Sequence, residues 1–103
     1  MAGCSSLPDP AQLSKAERRG IIARDGAIPK KYRELIAVGV AVAIQCPFCM
    51  EAHAKGAKTA GATREEIVEA TFVASAIRAG AATTHGTMAL KFFDQAGEPT
   101  AKA

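Results

Sequence analysis

Polar and apolar positions along this chain recur at helical spacing in four stretches, and no pair of stretches alternates as strands would. The first opens at Asp9-Pro10-Ala11-Gln12, an N-cap residue followed by proline at the first helical position and glutamine at the third. It predicts a helix to about Arg24, ended by Asp25-Gly26, with a thin apolar stripe (Leu13, Ala16, Ile21) suited to a surface position. A second helix should open at Pro29 and run to about Ile44. Its first turns are charged, and Leu35 to Ile44 is then apolar on every side. Such a helix belongs in a core or between subunits. The third is expected from Pro47 to about Ala60, with Gly61 as its stop. Thr63-Arg64-Glu65-Glu66 is a capping box that starts a fourth, carrying Ile67, Ala70, Thr71, Ala74, Ile77 and Ala81 at helical spacing. It can continue to about Gln95 through Gly80 and Gly86, with a kink or break tolerated near Gly86. The expected class is all-α.

Composition sharpens this picture in two ways. A chain of 103 residues makes one domain, spanning 1–103, with 1–8 and 97–103 read as loose termini. It is 49% hydrophobic with only 5% aromatic residues, so its apolar side chains are mostly small and bury little area each. Part of the apolar surface is therefore expected to be covered by other copies of the chain. The net charge of +3 comes from basic residues scattered over the first third, which read as a solvated face and not as a nucleic-acid patch. No apolar run approaches the ~20 residues of a membrane span. Three cysteines make no disulfide framework; a close pair with Cys4 left over suggests redox or metal chemistry in a reducing compartment, with the cytoplasm as the default.

The candidate chemistry lies between the second and third helices, in Gln45-Cys46-Pro47-Phe48-Cys49-Met50-Glu51-Ala52-His53. Pro47 at the first helical position makes Cys46 the N-cap and puts Cys49 in the first turn, near free N–H groups and the positive end of the helix dipole. Both features favour a thiolate. His53 follows at i+4, on the same face, where it can exchange a proton with Cys49. Cys46 and Cys49 are slightly too far apart for a disulfide in a regular helix, but a non-helical N-cap backbone removes that obstacle. Glu34 lies on the helix that feeds the dithiol, and an antiparallel return would carry it over the first turn of the next. A carboxylate there could orient the imidazole and stabilise it when protonated. That is the nucleophile, base and orienter arrangement of an activated thiol.

The spacing Glu34…Cys46-Pro47-Phe48-Cys49…His53 resembles the alkylhydroperoxidase AhpD-like branch of the carboxymuconolactone decarboxylase superfamily. So do the flanking segments Ile28-Pro29-Lys30-Lys31-Tyr32-Arg33-Glu34-Leu35-Ile36-Ala37 and Gly61-Ala62-Thr63-Arg64-Glu65-Glu66-Ile67. The likeness runs from about Ile28 to Leu90. It implies a small all-α fold, present here as a single repeat, obligate homo-oligomers (often trimers or hexamers), and thiol-based reduction of hydroperoxides. By the same resemblance, Cys49 would attack the peroxide, Cys46 would resolve the sulfenic acid, and Glu34 and His53 would form the proton relay. The reductant would be a thiol, in well-studied members a dihydrolipoyl protein. No metal or organic cofactor is implied. Some members carry a histidine between the cysteines, where this chain has Pro47-Phe48. His85, in Thr83-Thr84-His85-Gly86, is a possible accessory residue on the last helix.

Two other functions fit parts of the pattern. A decarboxylase-like enzyme would use the same fold for proton transfer, with no evident use for the two thiols. A non-catalytic redox sensor or zinc-binding oligomer would use Cys46 and Cys49 with His53 and His85, although zinc sites usually draw their ligand pairs from separate segments.

Overall fold

The computed structural model describes residues 9–99 of the protein, all of its regular structure being helical. A single 3-10 turn, Pro10–Gln12, precedes four α-helices: α1 (Lys15–Ile22), α2 (Lys30–Ala43), α3 (Pro47–Thr59) and α4 (Arg64–Gln95). Cys4 and the expected loose N-terminus lie outside the described residues.

The chain start differs from the sequence expectation. Asp9 caps only the 3-10 turn, through Ala11 N–H to Asp9 Oδ1 at 2.9 Å. The helix proper begins after Ser14, whose Oγ accepts from Glu17 N–H while Glu17 Oε2 accepts from Ser14 N–H. Two reciprocal bonds at Ser14 outcompete the one that Asp9 makes, so the start moves inward. The α1 helix then ends at Ile22, two residues before the expected Arg24.

At the hub of the fold is α2, which packs against α1, α3 and α4. Its Glu34, Val38 and Ala41 are buried, at the i, i+4, i+7 spacing of one helical stripe. The remaining buried side chains among the described residues are Ala57 on α3 and Ala74 on α4, so small residues set the close approach of these helices. At Gly39 the α2 backbone comes near the Ala70 carbonyl of α4. Lys31 adds an ion pair of 2.9 Å to Glu66.

Both the α2–α3 and α3–α4 connections are tight. Cys46 N–H donates to the Ala41 carbonyl (3.0 Å) and Gln45 N–H to the Val42 carbonyl (3.2 Å), the paired bonds of a Schellman stop. The same pattern ends α3, where Ala62 N–H reaches the Ala57 carbonyl and Gly61 N–H the Lys58 carbonyl. Its pivot is glycine at Gly61 (φ 95°), but at the end of α2 the pivot is Gln45, with φ 60°. A non-glycine residue in that region is uncommon and costs about 1–2 kcal/mol. Cys46 is thus both the closing residue of the α2 stop and the N-cap of α3, which leaves the dithiol little freedom.

Beyond Ala74, α4 runs on as one unbroken helix, with no stop at Gly86. Every residue from Ser75 to Gln95 is exposed, including Ile77, Met88, Leu90, Phe92 and Phe93. This projecting half stretches the molecule to 63 × 34 × 25 Å and its radius of gyration to 19.8 Å. A compact chain of about 100 residues would have a radius of gyration near 13 Å. No helix among the described residues is long and apolar enough to cross a membrane.

Candidate active site

Pro47 opens α3 at its first position, where the missing N–H costs nothing, and leaves Cys46 as N-cap with extended backbone (φ −104°, ψ 94°). That backbone puts the Cα atoms of Cys46 and Cys49 5.3 Å apart, and the two sulfurs are joined as a disulfide. Cys46 Sγ also accepts from Cys49 N–H at 3.3 Å, taking up one of the free N–H groups of the first turn.

One turn further on, His53 faces back to α2. Its Nδ1 lies 2.9 Å from Glu34 Oε2. With Glu34 as carboxylate, which can only accept, Nδ1 is the donor of this bond, and a neutral imidazole then keeps the Nε2 lone pair free to take a proton. The Glu34 side chain is 7% exposed and that of His53 26%, so water screens this pair weakly. Among the described residues Glu34 is the one charged residue that is buried.

Cys49 and His53 both line a cavity of about 620 Å³ between α1, α2 and α3. Its other walls are almost wholly apolar, with Ile21 and Ile22 from α1, Ile28 from the loop, Ile36 and Val40 from α2, and Ile44 at the C-cap of α2. Arg33 fastens the loop that borders it: Nε donates to the Ile28 carbonyl (2.8 Å) and Nη1 to the Ile21 carbonyl (2.6 Å). The structure thus joins Cys46 to Cys49 and Glu34 to His53, and turns one member of each pair to a common apolar space. Phe48, enclosed between the cysteines in sequence, is 82% exposed. It occupies the outward side of the first turn of α3 and does not cover the cysteine pair within the chain.

His85 is not part of this assembly. It lies on the exposed, projecting half of α4 and lines neither the cavity beside Cys49 nor the cleft between α2 and α4. Among the described residues no three or more His, Cys, Asp and Glu side chains converge as a metal site. The four-residue zinc set of Cys46, Cys49, His53 and His85 is therefore not assembled in the chain. Sequence reasoning missed Gln45, Arg33 and the cavity wall. Only the apolar run of α2 hinted at the last of these, and it did not distinguish a wall from a core.

Comparison with known proteins places the chain in a family. The model of the carboxymuconolactone decarboxylase family matches residues 8–92. An uncharacterised protein encoded in the cox locus of Paracoccus denitrificans is 49% identical over 75 residues, covering 73% of this chain and 68% of the relative. A second uncharacterised protein, from Cupriavidus necator, is 34% identical over 71 residues, covering 69% of this chain and 63% of the relative. The crystal structure of a protein from Methanobacterium thermoautotrophicum superposes with a TM-score of 0.64 at 34% identity, over 71% of this chain and 82% of that one. The family model covers more than half of the chain, so the chain belongs to the carboxymuconolactone decarboxylase family.

Proposed function

We propose that the protein is a thiol-dependent peroxidase that reduces hydroperoxides through Cys46 and Cys49, in the manner of the AhpD-like branch of its family. The observation that carries this reading is the meeting of Cys49 and His53 at one apolar cavity, with Cys46 bonded to the first and Glu34 to the second. In the reduced protein, His53 Nε2 takes the Cys49 proton, and the N-terminal turn of α3 favours the resulting thiolate. Cys49 Sγ attacks the terminal oxygen of the hydroperoxide. The O–O bond breaks, the alkoxide leaves with a proton from His53 as alcohol, and Cys49 becomes a sulfenic acid. Cys46 Sγ then attacks Cys49 Sγ, the S–O bond breaks, water leaves, and the disulfide forms. Two electrons from an external dithiol, of which a dihydrolipoyl protein is one candidate, return the pair to thiols in a reducing compartment such as the cytoplasm. Glu34 orients the imidazole through its bond to Nδ1 and so leaves Nε2 for the Cys49 proton.

The active unit is a homo-oligomer. Exposed apolar residues run along the length of α4 (Phe72, Val73, Ile77, Leu90, Phe92, Phe93), more than a solitary chain of this size would leave in water. Packing of neighbouring copies against the projecting half of α4 would cover them, and is the one route by which His85 could meet a dithiol.

Steady-state assay with an organic hydroperoxide and dihydrolipoamide tests the proposal. Turnover should be lost in Cys49→Ser and in Cys46→Ser alike. A decarboxylase-like, proton-transfer function would instead survive both replacements, and a redox sensor would be oxidised once without turning over.

A further inference from the structure

We infer that Gly56 is a positioning residue of the active site: the gap left by its missing side chain is the seat of the Glu34 carboxylate. Gly56 lies in the interior of α3, three residues after His53 and so on the same face of the helix. Its backbone is ordinary helix, so the chain does not need glycine there for its conformational freedom, and in such a position glycine weakens a helix relative to alanine. The explanation lies in what a side chain would meet. A Cβ built at Gly56 would stand 2.6 Å from Glu34 Oε1, 2.7 Å from Cδ and 2.8 Å from Oε2, closer than real Cβ atoms come. The helical glycines Gly20, Gly80 and Gly86 have no such neighbour within 4 Å.

The carboxylate is thereby held from two sides by one helix face. His53 Nδ1 holds Oε2 at 2.9 Å, and the bare backbone at Gly56 lets the whole group lie flat against α3. The helices themselves have little room to separate, since Ala41 and Ala57 are almost wholly buried. A methyl group at position 56 would therefore act first on the carboxylate, lifting it from the surface of α3 and breaking its bond to His53. The inference deepens the peroxidase reading of this site and shares its premise that the Glu34–His53 pair matters. Its direct test, however, reads that contact alone and needs no peroxide turnover.

The experiment compares the parent with Gly56→Ala, Gly80→Ala, Glu34→Ala and the Glu34→Ala/Gly56→Ala double variant. In the parent, nitrogen-edited NMR of the histidine rings should show a slowly exchanging His53 Nδ1–H with the shift of a ring bonded to carboxylate. Gly56→Ala should lose that signal while Gly80→Ala keeps it. Thermal unfolding supplies the second readout. Gly56→Ala should lower the midpoint in the parent background but raise it in the Glu34→Ala background, where no carboxylate competes for the space and alanine's helix preference acts alone. Retention of the Nδ1–H signal in folded Gly56→Ala would overturn the inference. So would a destabilisation of the same size with and without Glu34. Failure of peroxide turnover in the parent would count against the proposed function and leave this test untouched.

Discussion

Replacing Glu34 by glutamine probes the proposed proton relay while almost preserving shape. The substitution keeps an oxygen that can accept from His53 Nδ1 but removes the negative charge. The pair is well placed to feel that loss, with Nδ1 2.9 Å from Oε2 and only 7% of the glutamate side chain exposed. A hydrogen bond to a charged group contributes about 1.5–3 kcal/mol and a neutral one about 0.5–1.5 kcal/mol, so the exchange forfeits about 1–1.5 kcal/mol. The loss bears on the step in which the imidazole becomes positive, when it takes the proton of Cys49. Converted to a rate, it is a slowing of about 5- to 12-fold. Glutamine also fits the volume of glutamate against Gly56, so the unfolding midpoint is a control and not the readout. The assay is rapid-quench mass spectrometry of pre-reduced protein mixed with excess organic hydroperoxide, following formation of the Cys46–Cys49 disulfide. His53→Ala sets the scale, since loss of a general base costs about 100- to 10,000-fold. A Glu34→Gln rate equal to that of the parent, beside a slow His53→Ala, would refute the assignment of Glu34 as the group that orients and stabilises the imidazole.

Four further outcomes follow from the same structure. Cys46→Ser should react once with hydroperoxide and stop, leaving a Cys49 sulfenic acid that a dimedone probe traps in proportion to peroxide consumed. Gln45→Gly should stabilise the fold by about 0.5–1 kcal/mol in chemical denaturation, as relief of the left-handed backbone at φ 60° outweighs the added freedom of the unfolded chain. Glu66 is held below its ordinary value of 4.5 by the Thr63 backbone N–H and then by Lys31. Its ionised form therefore adds stability above that value, lost as pH falls through the lowered folded one, and Glu66→Gln should flatten the acid limb of the unfolding midpoint against pH. Light scattering should give a multiple of the chain mass for the parent and a smaller species for a variant carrying Ile77→Asp and Phe93→Asp; equal masses would remove the case for association through α4.

Much of this architecture is written in local signals. Pro47 and Thr63-x-x-Glu66 mark two helix starts that depend only on their own backbone, and both stand where the sequence puts them. The Glu34, Cys46, Cys49 and His53 spacing likewise anticipates two close pairs, because a short stop between antiparallel helices leaves few other arrangements. The features that were not legible depend on competition or on distance along the chain. Asp9 and Ser14 both look like caps, and only the second completes a reciprocal pair. A Schellman stop is ordinarily advertised by glycine, so one built on Gln45 leaves no mark. Gly56 reads as a mild defect in a helix until the carboxylate of another helix is seen against it. The side chains of Ile36, Val40 and Ile44 belong to an apolar run whose periodicity does not tell wall from core.

The central claim is that Cys49 and Cys46 carry two electrons to a hydroperoxide. Its most direct test is to add one equivalent of an organic hydroperoxide to the fully reduced protein and to measure thiols, peroxide and alcohol together. One Cys46–Cys49 disulfide and one alcohol should form for each hydroperoxide consumed, with no consumption by Cys49→Ser. Thiols that stay reduced while the hydroperoxide persists would contradict it.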